Sequence, residues 1–166
     1  VSIWTQDDNK DGQVIKVILI SKAGSEGIDF KFIRQVHILE PWYNMNRIEQ
    51  IIGRAIRNCS HKNLPFENRN VQIYLHSTIL NNQDIEAIDL YLYRYAENKA
   101  VKIGQVNRAL KENAIDCLLN IEQSNFSADK INLVVNQNIS SGEIIQYQVG
   151  DKPFTSICDY MDSCHF

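Results

Sequence analysis

The stretch QIIGRAIR (residues 50–57) lies in a segment whose residue spacing predicts an α-helix. Because each helical residue advances by about 100°, Gln50, Arg54 and Arg57 fall within roughly 60° of one another, with the isoleucines on the other side. Gly53 leaves a bare spot beside this polar row, where a ligand or a second backbone can come close. Each guanidinium can donate two parallel hydrogen bonds to anionic oxygens, so the row suits phosphate. A solvated helix face with surface salt bridges has the same pattern, and the neighbouring segments decide between the two interpretations.

The segments around this helix alternate between strand and helix patterns, which predicts an α/β fold. Residues 14–20 (VIKVILI) form a nearly unbroken apolar run, typical of a strand buried on both faces of a parallel sheet. Residues 35–39 and 71–76 predict two further strands, and the helix between them is predicted to span 45–57.

After the third predicted strand the pattern becomes helical. Residues 84–120 carry apolar side chains at helical spacing, with Gly104 as a candidate boundary between two helices. The tyrosines within 91–95 are predicted to pack in the core or against another lobe, although tyrosine rings can also stack on bases. Residues 131–149 predict a β-hairpin, and residues 151–166 an irregular tail.

Charge is unevenly distributed along the 166 residues, whose formal net charge is −3. Residues 1–83 hold ten Lys and Arg against eight Asp and Glu, a net of +2, whereas residues 84–166 hold seven against twelve, a net of −5. We therefore expect any nucleic-acid contact in the first half, as a local groove. No apolar run approaches the roughly 20 residues of a membrane-spanning helix, and the first residues lack a signal-peptide pattern, so we expect no membrane partner.

Four cysteines in a chain of this size predict no disulfide framework, and they favour a reducing, intracellular setting. Cys158 and Cys164 are soft ligands near one another, but a zinc site usually needs four ligands and tighter pairs, so we predict no metal site without ligands from elsewhere. Cys59 beside His61 has the composition of a nucleophile and base without an orienting carboxylate, and we predict no catalytic thiol there.

Three stretches together resemble the motifs of superfamily 2 helicases. QIIGRAIR (50–57) resembles motif VI, Q-x-x-G-R-x-x-R, and SKAGSEGIDF (21–30) resembles motif V. VHILEPWYN (36–44) is similar to the strand and Pro-Trp-x-Asn loop of SWI/SNF-type translocases. Residues 91–99 and 106–117 resemble the region after motif VI in helicases, early transcription factors and nucleoside triphosphatases of large nucleocytoplasmic DNA viruses, poxvirus-like and mimivirus-like.

This resemblance implies an α/β, RecA-like fold, in which a parallel sheet is flanked by helices, with a helical extension and a small C-terminal β-hairpin. Residues 1–80 are expected to form part of the C-terminal helicase domain (RecA-like 2) that carries motifs V and VI. Residues 81–166 are expected to form a mainly helical extension with the hairpin and the tail. Residues 58–61 read NCSH where SWI/SNF-type enzymes usually continue toward R-x-G-Q, so a remodeller-like role is not implied, whereas coupling to ATP hydrolysis is.

In this family two RecA-like lobes clamp ATP with Mg between them. The first lobe supplies the P-loop and the Mg-binding acidic motif, and neither pattern occurs in these 166 residues. The resemblance implies that Arg54 and Arg57 reach the ATP phosphates, with Arg57 as the arginine finger, and that Gln50 orients groups in the same cleft. Gly27 and Asp29 are expected near the nucleotide. The residues expected to contact the nucleic-acid backbone, which their glycine, hydroxyl and ammonium groups suit, are Lys22, Ala23, Gly24 and Ser25.

The implied function is that of the C-terminal lobe of an ATP-dependent helicase or translocase in viral transcription or replication, which is inactive as a separate fragment. Its implied partners are nucleic acid, with DNA favoured over RNA, the N-terminal RecA-like lobe of the same protein, and a viral RNA polymerase. The implied location is intracellular, in the host cytoplasm or the virion. The alternative is a non-catalytic, helicase-like interaction module that docks a polymerase or another viral protein.

Overall fold

The computed structural model describes residues 7–21, 28, 30–81, 85–115, 129 and 132–164. Within these ranges the helices and strands, in chain order, are β1 (Gln35–Ile38), α1 (Met45–Ala55), β2 (Gln72–Leu75), α2 (Ile88–Glu112), β3 (Val134–Asn138) and β4 (Ile144–Gln148). The chain divides into two compact units, the first from residues 1–41, 46–78 and 136–145, and the second from the rest. The predicted division near residue 80 stays a prediction. No helix in the described ranges is long and apolar enough to cross a membrane.

β1 and β2 pair in parallel, in a register that places Gln35 opposite Gln72 and Ile38 opposite Leu75. Both strands lie where the alternating apolar pattern predicted them. Parallel neighbours cannot be joined by a tight turn, and α1 lies in the connection between them. α1 is therefore part of the crossover connection between the two strands.

The predicted strand at residues 14–20 is wrong. This run has no regular secondary structure, and Val14, Val17 and Leu19 are 61%, 75% and 88% exposed. A strand needs a neighbour that takes up its backbone hydrogen bonds, and the parallel sheet in the described ranges consists of β1 and β2. The start of the run is bonded locally instead, because the backbone N–H groups of Val14 and Ile15 donate to the Oδ1 of Asn9, at 3.1 and 2.9 Å.

α2 is one uninterrupted helix of 25 residues, so the predicted boundary at Gly104 is also wrong. Ala96, Ala100 and Gly104 follow one another at intervals of four, and all three are buried on one face. A Cβ at Gly104 would lie 1.9 Å from the carbonyl oxygen of Asp159. The glycine is therefore required for a close approach of the tail rather than for a break in the helix.

Two tyrosines of α2 are exposed. Tyr91 and Tyr95 are 45% and 48% exposed, so they lie outside the core of the described residues, and their packing against another lobe stays a prediction. The helical spacing placed them on one face correctly, but periodicity does not reveal which face of a helix is covered.

The tail is irregular, as predicted, and is fastened to α2 by charged and polar contacts. Asp159 is 3% exposed, and its Oδ1 accepts a bond of 2.7 Å from the Nζ of Lys111. Arg108 donates to the carbonyl oxygen of Cys158 at 2.9 Å. Cys158 is also joined to Cys164 by a disulfide, six residues apart. The cysteine count argued against a framework of several bridges and did not anticipate this local one.

β3 and β4 form the predicted hairpin. The turn between them is closed by the N–H of Ile139, which donates to the carbonyl oxygen of Glu143 at 2.9 Å. Gly142 within this turn has φ +90°, a left-handed conformation that glycine adopts without steric cost. The Asn, Ser and Gly residues of this segment were therefore correctly interpreted as a turn.

Candidate functional site

The apolar side of α1 is packed and its other side is open. Ile48 and Ala55 are 2% and 3% exposed, whereas Gln50 is exposed and Arg54 is half-buried. A Cβ placed on Gly53 would meet no atom within 4 Å. This arrangement matches the amphipathic helix and the bare spot that the sequence predicts around QIIGRAIR.

Arg57 does not lie on the helix. α1 ends at Ala55, two residues earlier than predicted, and the last helical bond runs from the N–H of Ile56 to the carbonyl oxygen of Ile52 at 3.0 Å. Arg57 is exposed and Arg54 only half-buried, so neither guanidinium is enclosed in the hydrophobic core. The two arginines therefore remain close in sequence at one end of α1, but a helical wheel does not give their relative orientation.

Ser60 stops the helix, because its buried hydroxyl takes over the backbone bonds after Ala55. The N–H of Arg57 donates to the Oγ of Ser60 at 3.3 Å, and the carbonyl oxygen of Ala55 lies 3.3 Å from the same Oγ. The N–H of Ser60 in turn donates to the carbonyl oxygen of Arg57 at 3.0 Å. Local side-chain bonds of this kind compete with helical bonds. They fix the backbone at Arg57.

His61 extends this network to a distant part of the chain. Its Nε2 lies 2.7 Å from the carbonyl oxygen of Ile33, and its Nδ1 lies 2.7 Å from the Oγ of Ser60. A carbonyl oxygen can only accept, so Nε2 of His61 donates to Ile33. The N–H of Phe32 also donates to the carbonyl oxygen of Ser60, at 3.2 Å. The segment after motif VI is thereby joined to the segment after motif V. We call the side chains of Ser60 and His61 the Ser60–His61 latch.

The latch was missed by sequence reasoning, which considered Cys59 beside His61 instead. The thiol of Cys59 donates to the Oδ1 of Asn58 at 3.4 Å, and both ring nitrogens of His61 are engaged by other atoms. Cys59 and Phe32 both have φ 62°, in the left-handed region. These two backbone conformations flank the latch and give no sequence signal, because neither residue is a glycine.

A second network in the same unit surrounds Arg34. Its guanidinium donates to the carbonyl oxygen and the Oδ1 of Asn70, at 3.2 and 3.1 Å, and to the carbonyl oxygen of Asn138. Burial lowers the pKa of the Arg34 guanidinium below its ordinary value. Arg34 thus joins the residues before β1, the residues before β2 and the end of β3.

Two histidines, one in β1 and one directly after β2, lie close together, although no sequence motif indicated them. The Nδ1 of His37 lies 2.9 Å from the Nε2 of His76, and the ring of His37 stacks on Tyr74 with centroids 4.6 Å apart. In the described ranges no group of three or more His, Cys, Asp or Glu side chains is placed to hold a metal ion.

The site residues predicted in the motif V loop lie outside the part of the chain that the structure describes. Gly27 and Asp29, predicted near the nucleotide, lie outside the described residues. The same applies to the residues predicted to contact the nucleic-acid backbone, Lys22, Ala23, Gly24 and Ser25. Their roles stay predictions.

Comparison with known proteins identifies the family. Residues 3–59 match the family described as the helicase conserved C-terminal domain. A protein of Acanthamoeba polyphaga mimivirus whose name includes "ATP-dependent RNA helicase" is 38% identical over 132 residues, which cover 76% of this chain and 16% of that protein. A "Termination factor NPH-I homolog" of African swine fever virus is 36% identical over 130 residues, which cover 72% of this chain and 18% of that protein.

The similarity extends past the helicase domain. Another mimivirus protein with "ATP-dependent RNA helicase" in its name is 32% identical over 173 residues, which cover 99% of this chain and 13% of that protein. The chain thus spans less than a fifth of the length of these relatives. The matches agree with the resemblance carried by residues 21–30, 36–44 and 50–57. The chain therefore belongs to the superfamily 2 helicases, as a C-terminal-lobe sequence related to the helicases of large DNA viruses.

Proposed function

We propose that this chain serves as the C-terminal lobe of an ATP-dependent nucleic-acid helicase or translocase, in which Arg57 is the arginine finger. The observation that carries the proposal is the end of α1. Two arginines lie there outside the hydrophobic core, beside the open spot at Gly53, on a helix whose apolar side is packed. A rigid support of this kind suits the stabilisation of charge on a transferring phosphoryl group.

The proposed roles divide the phosphate contacts among three side chains. Arg57 offsets the charge that develops on the γ-phosphate in the transition state, an effect worth about 10³–10⁵ in rate. Arg54 contacts the same phosphates from the helix, and Gln50 orients groups in the cleft. ATP and Mg are held mainly by the N-terminal RecA-like lobe, whose P-loop pattern is absent from these 166 residues. The separate chain is therefore expected to hydrolyse no ATP.

The loop at residues 21–30 is proposed to hold the nucleic acid and part of the nucleotide. Gly27 and Asp29 lie near the nucleotide in this proposal. Lys22 and the backbone N–H groups of Ala23, Gly24 and Ser25 contact phosphates of the strand. Such contacts carry no base information, as a motor that moves along any sequence requires. The Ser60–His61 latch supports the proposal, because it joins the segments that follow the two motifs.

The names of the relatives suggest the biological process in which this chain acts. The mimivirus relatives are named as ATP-dependent RNA helicases, and the African swine fever virus relative as a termination factor homolog. We propose that the protein containing this chain acts in viral transcription or replication, in the host cytoplasm or the virion. Its partners would be nucleic acid, DNA before RNA, and a viral RNA polymerase.

The test is ATP turnover by the natural protein that contains this chain, with and without nucleic acid. Arg57→Ala is expected to abolish nucleic-acid-stimulated turnover, with a loss of about 10³-fold or more. Arg57→Lys keeps the positive charge but loses the bidentate hydrogen bonding of the guanidinium, so it is expected to recover only a small part of the ATP turnover rate. Lys62→Ala removes an exposed cation five residues away and should leave turnover at the parental level.

Normal turnover in Arg57→Ala would refute the finger assignment. A parent protein that hydrolyses no ATP under any nucleic-acid condition would contradict the motor and would favour the non-catalytic docking module instead. Measuring strand binding in the same preparations separates a lost transition-state contact from lost substrate binding, because only the former leaves the Kd unchanged.

A further inference from the structure

One face of α2 presents aromatic and basic side chains to the solvent. The rings of Tyr91 and Tyr95, one helical turn apart, are stacked with centroids 6.2 Å apart and 22° between their planes. Both side chains are nearly half-exposed. The guanidinium carbon of Arg94 lies 5.8 Å from the centroid of the Tyr91 ring, and the two rings still leave apolar area exposed to water.

A cavity of about 330 Å³ lies on the same face, lined by Tyr95, Asn98, Lys99 and Lys102. The ammonium group of Lys99 donates to the Oδ1 of Asn44, at the start of α1, and lies 5.8 Å from the centroid of the Tyr43 ring. These contacts hold the Lys99 side chain in one position. Lys102 also lines the cavity and is exposed.

The charge of this face differs from that of its half of the chain. At about 100° per residue, Tyr91, Lys99 and Lys102 lie within roughly 60° of Tyr95 around the helix axis. The carboxylates of α2 all lie roughly 100° or more away, and they are Asp89, Glu97 and Glu112. The nearby Glu86 pairs with Arg94 at 2.6 Å. The net of −5 for residues 84–166 therefore conceals a face that carries two ammonium groups and no carboxylate.

The tyrosine rings and the lysine ammonium groups of this face together indicate the kind of ligand that it can bind. Ammonium groups contact phosphates, and exposed aromatic rings stack on bases regardless of sequence. In a duplex the faces of the bases are covered by their neighbours, so only an unpaired strand offers them to a tyrosine. The amide of Asn98, between the two kinds of side chain, can bond to sugar or base edges.

We propose that Tyr91, Tyr95, Asn98, Lys99 and Lys102, the α2 tyrosine–lysine face, bind an unpaired strand of nucleic acid. The face is formed by residues of α2, which are not part of motif V, and it adds a second strand contact to the proposed function. This inference rests on the proposed function in one respect, because a helicase must bind a nucleic acid. Its own chemistry selects the unpaired form. A protein partner for the same face is the competing outcome.

The experiment measures binding of a fluorescent single strand of about 16 nucleotides by anisotropy, without ATP, using the natural protein that contains this chain. Tyr95→Leu keeps an apolar side chain but removes the ring, and is expected to raise the Kd about 5- to 100-fold. Tyr95→Phe keeps the ring and should bind like the parent. A matched duplex should show little change in Kd in either variant, because its bases are not available for stacking.

Lys102→Ala tests the phosphate contact through its salt dependence. Loss of one contact to a single strand is expected to reduce the slope of log K against log salt concentration by about 0.7. Lys10→Ala removes another exposed lysine, in the other unit, and should leave the slope unchanged. Tyr95→Leu should shift the affinity without changing the slope, because it removes no charge.

Parental Kd and slope in both Tyr95→Leu and Lys102→Ala would overturn the proposal and leave a protein as the occupant of this face. An equal loss of duplex and single-strand binding in Tyr95→Leu would also overturn it, because stacking requires unpaired bases. ATP turnover of the parent is the separate test of the proposed function. A parent that binds the strand through this face but hydrolyses no ATP would refute the motor and support the present inference.

Discussion

Gly104→Ala tests how the tail packs on α2. In open space an alanine inside a helix is more stable than glycine by about 1 kcal/mol. At this position the new Cβ would lie 1.9 Å from the carbonyl oxygen of Asp159 and 2.8 Å from its carbonyl carbon. Ordinary contacts begin well beyond 3 Å, so the tail has to move by about 1 Å or more away from the helix.

The displacement acts on a turn that is fastened at several points. Asp159 is held by Lys111 at 2.7 Å, and Cys158 by Arg108 and by its disulfide. Overpacking of this kind lowers the free energy of unfolding by about 1–3 kcal/mol. Weakening the contact between the buried carboxylate of Asp159 and Lys111 lowers it further. The ammonium of Lys111 is half-exposed, so solvent screens that contribution and we count only about 1 kcal/mol for it. After the gain in helix propensity, the expected net loss is about 1–3 kcal/mol.

The assay is thermal and urea unfolding of the chain, followed by far-ultraviolet circular dichroism. A loss of this size corresponds to a Tm lower by about 3–10 °C for a chain of this length. Gly53→Ala is the matched control, because it makes the same change in a helix where the new methyl group meets no atom within 4 Å. It should gain about 0.5–1 kcal/mol. If Gly104→Ala were stabilised to the same extent as Gly53→Ala, the close approach of the tail to α2 at Gly104 would be refuted.

Two further predictions concern single side chains. Ser60→Ala removes the hydroxyl of the Ser60–His61 latch and should lower the free energy of unfolding in urea by about 1–3 kcal/mol. Ser141 is exposed, so Ser141→Ala should change that free energy by less than about 0.5 kcal/mol. Equal values for the two variants would contradict the latch. Burial, with a smaller contribution from the carboxylate of Asp89, raises the pKa of the Tyr93 phenol above its ordinary value. The neutral phenol therefore favours the folded state, and this contribution is complete below the ordinary tyrosine pKa and is lost as the pH rises through the raised one. A spectroscopic phenolate titration should show one late tyrosine that disappears in Tyr93→Phe, and an unchanged titration in that variant would show the shift to be absent.

The sequence predicted those parts of the fold that depend on neighbours along the chain. β1, β2 and the β3–β4 hairpin lie where alternation and turn residues predicted them. The packed side of α1 follows from the spacing of its isoleucines, because that pattern is a property of the helix itself. The open spot at Gly53 was predicted for the same reason.

Several errors involve atoms far away in sequence. The end of α1 depends on the hydroxyl of Ser60, whose partner His61 reaches Ile33, 28 residues earlier. The role of Gly104 depends on Asp159, 55 residues later. Periodicity placed Tyr91 and Tyr95 on one face but contained no information on whether anything covers that face. The net charge of residues 84–166 is a sum over that segment, so it did not show how the charges of α2 are distributed around the helix.

The exposed run VIKVILI at residues 14–20 has a consequence for handling the protein. It combines high β-propensity with no proline, and Lys16 supplies its one charge. Such a segment, when accessible, is a template for strand addition between copies and for cross-β stacking. Self-association through this run will compete with native contacts as the concentration of the isolated chain rises, and a second like charge at Leu19, which is 88% exposed, would oppose it by repulsion at little cost to the fold.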